Sequence, residues 1–410
     1  RLVLNFFFLV SPLIIIYRIF KKKEDPKRFL EKIGKFNKKN KNNNLIWFHG
    51  SSVGEILSVV PLIEKLEKRK NIKKILITSN TLSSAKIIKK LKLKKTFHQF
   101  FPLDTEFLAE KFLNHWNPRA VFFIESEIWP NMIIKIREKN IPLILLNARI
   151  TKKSFQKWRF IIYFTKKIFN KFDLCLSQNK ETSNYLKILG ANNIKKIGNL
   201  KFSQSYSDLK NELNLKIKKK LGKKKIILAA VSTHKGEELF CGKVHNSLKK
   251  KYKNIISIII PRHIDRSHEI KEELTSNKLN VHLHASNKPI KSDTDIYLVD
   301  TFGETKSFLK LSKTTFMGKS IYAFGGQNPL EAARLGNRII HGPNIENFVE
   351  VYDFLKKQGI STKVNSFRDL EKLVIKFDRK KNYSQQIIKK LSYTGNQILL
   401  NNEKEINKYC

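Results

Sequence analysis

The stretch LIWFHGSSVGEILSVVPLIEKL, residues 45–66, sets the architecture. Leu45 to His49 reads as a short buried strand. A small-residue loop, Gly50-Ser51-Ser52-Val53-Gly54, follows it, and Glu55 falls in the first turn of a helix. From Leu45 onward such apolar strands alternate with amphipathic helices, which predicts parallel sheets with helices on both faces. In the first half, strands are expected at 45–49, 74–78, 120–124, 142–146, 174–177 and 194–198. A polar, lysine-rich, helix-like stretch spans 203–225. A second set of strands is expected at 226–231, 255–260, 280–284, 296–299, 315–317 and 338–340, and residues 367–408 read as helical. Two similar arrays joined in the middle predict two Rossmann-like domains facing a cleft. The length agrees, since 410 residues exceed what one core holds, roughly 250–300.

Composition narrows the class. Lys and Arg number 81 against 35 Asp and Glu, a formal net charge of +46. Such a charge favours an anionic partner, either nucleic acid or an anionic bilayer. The lysines are spread through most segments, which fits a compositional bias, and no RNA-binding aromatic motif or zinc-finger spacing accompanies them. No nucleic-acid partner is therefore expected. Cys175, Cys241 and Cys410 form no CxxC pair and no even framework, which points to a reducing compartment. Leu2 to Phe20 is mostly apolar and is followed at once by Lys21, Lys22, Lys23, Lys27 and Arg28. A secretory signal has the reverse order of charge. The segment reads as a monotopic or single-pass anchor with its basic run on the cytoplasmic side. The expected division is 1–35 for the anchor and juxtamembrane segment, then a short polar linker leading into an N-terminal domain (36–205), then a C-terminal domain (206–410).

The strand ends carry the chemistry. They read His49 to Glu55, Glu125-Ser126-Glu127 with Trp129-Pro130-Asn131, and Asn147-Ala148-Arg149 in the first half. In the second half they read Ser232-Thr233-His234, Pro261-Arg262-His263 and Asp300 to Glu304. Ligands of open α/β sheets bind outside the carboxyl ends of the strands, so polar residues gathered there once per domain predict a two-ligand site. Gly50 to Gly54 matches GxSxG, which makes a serine hydrolase with Ser52 as nucleophile a competing reading. The motif sits on the first strand of the body, where a nucleophile elbow is not expected. A better reading is a loop with free backbone N–H groups at a helix start, beside an acid, Glu55, directed into the cleft.

Gly325-Gly326-Gln327-Asn328-Pro329-Leu330-Glu331 predicts a phosphate-holding loop before a helix, with the nearby turn Phe316 to Ser320 supporting it. Glu331 is placed to accept from ribose hydroxyls, and Arg262 offers a planar donor to phosphate. Asp293-Thr294-Asp295 has the form of a metal-binding DxD but precedes a strand, so it reads as a turn. His282 and His284 share a strand face without a third ligand. No catalytic metal and no cofactor are expected.

Together these segments resemble the family of 3-deoxy-D-manno-octulosonic acid (Kdo) transferases. The similar stretches are WFHGSSVGE (47–55), FPLDTEFLAEKFLNHWNPRAVFFIESEIWPN (101–131), NARITKKS (147–154), GNLKF (198–202), STHKGEE (232–238), PRHIDR (261–266), DTFGE (300–304), MGKSIYAFGGQNPLEAARLG (317–336) and HGPNIENF (341–348). The segment DPKRFLEKIG (25–34) also fits. The resemblance implies a GT-B fold with an N-terminal acceptor domain and a C-terminal donor domain. It further implies inverting, metal-independent transfer from CMP-Kdo to the lipid A precursor lipid IVA, in lipopolysaccharide biosynthesis at the cytoplasmic face of the inner membrane. Carried over by position, Glu55 matches the general base, and Glu125 and Lys201 match positions that stabilise the transition state. CMP contacts fall on Pro261, Arg262, Phe302, Gly303, Glu304, Asn328, Pro329, Leu330 and Glu331. Lys319 stands where a second glycine is usual, Gln327 replaces a frequent histidine, Phe302 a frequent methionine and Ser203 a frequent acid. Another nucleotide-sugar enzyme of the same fold, a UDP-sugar transferase or epimerase, is the nearest alternative.

Overall fold

The computed structural model describes residues 17–21, 24–36, 44–91, 93–203, 215–221, 224–378 and 383–410. They form two compact units, one of residues 1–205 with 394–410, the other of 206–393. The first carries a seven-stranded sheet in the order β3-β2-β1-β4-β5-β6-β7. Its strands are β1 (Leu45–His49), β2 (Lys74–Ser79), β3 (Thr96–Phe100), β4 (Ala120–Ile124), β5 (Leu143–Ala148), β6 (Leu174–Ser177) and β7 (Ile194–Lys196). The second carries β10-β11-β9-β8-β12-β13-β14. Here the strands are β8 (Lys225–Thr233), β9 (Ile255–Pro261), β10 (Val281–Leu283), β11 (Ile296–Leu298), β12 (Thr314–Met317), β13 (Arg338–His341) and β14 (Ser361–Lys363). Every pairing is parallel.

Central strands such as AVFFI in β4 and LILLNA in β5 are buried along their whole length. That is the pattern of a parallel sheet covered on both faces. The strand order reverses between β1 and β4 in the first sheet and between β8 and β12 in the second, where β10 and β11 are also exchanged at the far edge. At such a switch point the loops leave toward opposite faces and open a crevice at the carboxyl ends.

Two strands were not expected. β3 (TFHQF) and β14 (STK) are edge strands with polar residues, so neither shows an apolar run. Residues 24–35, assigned from sequence to the anchor and juxtamembrane segment, serve the first sheet. Glu31 is buried and accepts from the Phe100 N–H at 2.8 Å and from Gln99 Nε2 at 2.9 Å on β3. Arg28 donates to the His98 carbonyl at 3.0 Å. The open edge of a sheet is thereby capped. Residues 394–410, expected with the second domain, pack with the first. Glu403 pairs with Lys65 at 2.7 Å and Arg69 at 2.8 Å, and Glu405 with Lys195 at 2.7 Å. The amphipathic pattern of the last helix, Tyr383–Ile406, identifies a buried stripe but not the surface that buries it.

Most of the expected anchor, residues 1–16, lies outside the described residues, as do Lys22, Lys23, residues 37–43 of the linker and 204–214 of the polar stretch. Among the described residues no helix is long and apolar enough to cross a membrane.

Candidate active site

At the first switch point β1 runs into the helix Val53–Glu67. Ser52 caps this helix. Its hydroxyl accepts from the Glu55 N–H at 3.3 Å and donates to Glu55 Oε1 at 2.7 Å. Glu55 Oε2 accepts from the Ser51 N–H at 2.7 Å and the Ser52 N–H at 3.4 Å. This reciprocal capping box fixes the half-buried carboxyl in the first turn. It also corrects the expectation of free backbone N–H groups here, because those of Ser51, Ser52 and Glu55 are all engaged by this one box. Ser52 is a helix cap with ordinary extended backbone, which removes the nucleophile-elbow reading. Burial, then the negative charge of Glu127, raises the Glu55 carboxyl to about 7, and Glu125 adds to the effect against hydrogen bonds from Ser52 and Ser51.

Glu127 is an organising acid that sequence reasoning left without a role. Its Oε2 accepts from Ser51 Oγ at 2.7 Å and Trp129 Nε1 at 2.7 Å, and lies 3.0 Å from His49 Nε2. Burial pushes this carboxyl up, but the bonds from His49, Ser51 and Trp129 outweigh it and leave it below the usual range. Behind it, His49 Nδ1 meets Thr78 Oγ1 at 2.9 Å, which takes a bond from Trp47 Nε1 at 2.8 Å. Asn80 donates to Ser51 Oγ at 2.8 Å. The ends of β1, β2 and β4 are thus tied into one polar network.

Glu125 follows β4 and is 6% exposed, with a left-handed φ of 58°. Its Oε1 lies 2.5 Å from Lys201 Nζ. Asn147 in β5, also left-handed at φ 53°, accepts from the Leu200 N–H at 2.9 Å. Asn199 accepts from the Lys201 N–H at 2.9 Å and donates to Gln178 at 3.1 Å. These bonds set the turn Leu200–Ser203 that delivers Lys201 to Glu125. The structure therefore brings Glu55, Glu125 and Lys201 to one edge of the first sheet.

The second unit repeats the arrangement. Ser232 and Lys319, at the ends of β8 and β12, are left-handed with φ of 55° and 58°. A side chain on Gly318 would meet the Ser232 carbonyl at 2.4 Å, so glycine is required where these loops cross. Lys319 holds a conformation that favours glycine, which accounts physically for the residue usual there. Buried Glu237 accepts from the N–H groups of Lys319, Ser320, Ile321 and His234 at 2.7–3.0 Å. The Phe316–Ser320 turn therefore spends those N–H groups on Glu237, contrary to its expected share in phosphate binding.

Pro261 closes β9 and is buried, while Arg262 beside it is exposed, its N–H donating to the Thr233 carbonyl at 3.1 Å. Phe302 is exposed and Gly303 is left-handed. Glu304 accepts from Thr301 and lies 2.9 Å from His284 Nε2. Asn328 accepts from the Leu330 N–H at 3.1 Å, Pro329 caps the helix Leu330–Arg334, and the Leu330 side chain is in the core. That helix has only five residues, so the dipole expected there is short. Burial raises the Glu331 carboxyl, against the opposing charges of Lys306 and Arg334. Lys306 Nζ lies 3.8 Å from Glu331 and so bridges the 302–304 and 328–331 segments. Asp295 of the DxD-like turn is buried, pairing with Lys249 at 2.7 Å and accepting from the Asn280 N–H at 3.0 Å. His282 stacks on Tyr297, and His284 lies 2.8 Å from the Tyr297 hydroxyl. Among the described residues no group of three or more His, Cys, Asp or Glu is placed to hold a metal.

Two parallel α/β units, each with strained polar residues at its switch point, define the two-Rossmann-unit class. A UDP-GlcNAc 2-epimerase from Neisseria meningitidis has this fold, with a TM-score of 0.58 and 15% identity over 89% of this chain and 99% of that one. Residues 27–204 match the family model described as 3-deoxy-D-manno-octulosonic-acid transferase (kdotransferase). The chain is 33% identical over 367 residues to the 3-deoxy-D-manno-octulosonic acid transferase of Rickettsia bellii, covering 88% of this chain and 87% of the relative. It is 29% identical over 364 residues to that of Haemophilus influenzae, covering 87% and 83%. The chain belongs to the Kdo transferase family of glycosyltransferases.

Proposed function

We propose that this chain moves Kdo from CMP-Kdo to a sugar hydroxyl of lipid IVA, with inversion at the anomeric carbon, and that Glu55 is the general base. The observation that carries the reading is the Glu55 carboxyl, raised to about 7 at the carboxyl-end switch point of a Kdo transferase family member. A base of that strength is partly ionised at neutral pH and still accepts a proton readily. Ionised Glu55 takes the proton of the acceptor hydroxyl. The oxygen's electron pair forms the bond to the anomeric carbon, and the bond from that carbon to the phosphate oxygen breaks, releasing CMP. Glu125 supports the oxocarbenium character that develops. Lys201 balances its charge and faces the anionic donor.

In the second unit Arg262 takes the departing phosphate, and the Lys306-bridged segments 302–304 and 328–331 hold the nucleotide. The displacement is redox-neutral, and the reading assigns no metal or cofactor. On this reading the enzyme works at the cytoplasmic face of the inner membrane, where basic residues gain about 1 kcal/mol each from anionic lipid.

The test is Glu55→Gln with CMP-Kdo and lipid IVA. Turnover is expected to fall by about 10²–10⁴-fold, with CMP binding kept and no loss of thermal stability. Near-normal turnover removes Glu55 from the role. Thermal protection by UDP in preference to CMP overturns the donor.

A further inference from the structure

Beyond β5, on the site edge of the first sheet, the chain forms a helical hairpin, Lys152–Phe160 and Ile162–Phe169. Its inner side is well anchored. Phe155, Thr165, Ile168 and Phe169 are buried, and Trp158 packs edge-on against Phe169 with ring centres 5.9 Å apart. Its tip is turned outward: Phe160 is 91% exposed, Tyr163 75%, Ile161 45% and Phe164 42%. Four large apolar side chains within five residues are thus exposed, a local concentration that soluble surfaces rarely carry without a partner.

The charged residues of the hairpin itself are all basic. Lys152, Lys153, Lys157, Arg159, Lys166 and Lys167 are all exposed, and from Lys139 to Phe172 the chain has no Asp or Glu. Lys167 Nζ sits 4.3 Å from the centre of the Tyr163 ring, so cation and aromatic point the same way. Aromatic rings at the tip with cations around them match the two layers of an anionic bilayer surface: acyl boundary and phosphate headgroups. A protein partner has no need of so uniform a charge.

We infer that the Lys152–Phe169 hairpin is a membrane-contact surface that docks on anionic lipid, independently of residues 1–16. The contact would hold the Glu55 edge of the first unit close to the bilayer surface. Vesicle binding alone reports on this attachment, and its loss or absence leaves the donor and acceptor assignments untouched.

The test uses the full chain in flotation with phosphatidylcholine vesicles, with and without phosphatidylglycerol. Phe160→Ser/Tyr163→Ser/Phe164→Ser is expected to cut partitioning onto anionic vesicles about tenfold or more. Neutralising Lys152, Lys153 and Lys157 as Lys→Gln is expected to cost roughly fivefold each on anionic vesicles and little on neutral ones. All these side chains are exposed, so circular dichroism and melting are expected to stay as in the parent. Because the three native cysteines are buried, Phe160→Cys can be labelled with an environment-sensitive dye. Blue-shifted emission on adding anionic vesicles supports the contact. A water-like label on vesicle-bound protein, or partitioning unaltered by both sets of variants, overturns it. Conversion of a dimer to a monomer by the serine variants, with partitioning unchanged, also overturns it and makes the patch a self-association surface.

Discussion

Glu55 and Glu127 are two acids with opposite fates a few residues from one switch point. Glu127 gathers three donors on a single oxygen and stays ionised, and its charge helps to keep the Glu55 proton on. Glu127→Gln therefore is expected to lower the Glu55 pKa and shift the rising limb of the pH profile of kcat/KM below its position near 7. An unmoved limb separates the two groups. The same elevation has a stability cost. The folded pKa of Glu55 lies above its ordinary 4.5, so the stability it allows is full below 4.5 and is lost as pH rises through 7. Glu55→Gln should accordingly melt above the parent at pH 8 and with it at pH 4.5. Lys319 tells a similar story in backbone terms. A lysine at φ 58° carries strain that glycine does not, so Lys319→Gly is expected to stabilise by about 0.5–1 kcal/mol. Its ammonium lies near the Gly325 backbone, so the same change is expected to raise the donor KM.

Among the elements, the turn Leu200–Ser203 depends on the terminal helix. A side chain on Gly395 would meet the Phe202 carbonyl at 2.3 Å, next to Lys201. Gly395→Ala is expected to cost about 1–3 kcal/mol and to lower kcat by displacing Lys201 from Glu125; melting and turnover measured together check both. Strands such as β1, β4 and β5 are legible in sequence because a parallel sheet buries both faces. β3 and β14 are not, since their polar residues are satisfied by tertiary partners such as Glu31. The site shows the same division. Strand-end position and family resemblance point to Glu55, Glu125 and Lys201. The Glu127 network joins residues 76 and 78 positions apart, and no local spacing reveals that β1 and β4 are neighbours. The N–H groups spent on Glu237 were equally invisible, because a glycine turn reads the same whether a phosphate or a carboxylate fills it.

For the whole molecule, a net charge of +46 is a distributed load on both folding and solubility. Like charges repel in the compact state, and salt screens them over about 10 Å at 0.1 M. Raising ionic strength from about 0.05 to 0.5 M is expected to raise Tm while weakening attachment to anionic vesicles. A fall in Tm instead would mean that the acid-paired lysines, such as Lys201 and Lys65, outweigh the repulsion. The first unit, finally, is assembled from two pieces of chain separated by the whole of the second. During synthesis the ribosome has made residues 206–393 before the stretch that packs on Gly198 through Ile398 and on Phe202 through Gly395 exists. The second unit can close as soon as its own strands emerge, whereas the Lys201 edge of the first waits until residues 394–410 have followed. A nascent chain stalled before residue 394 would carry a folded second unit and an unfinished first one.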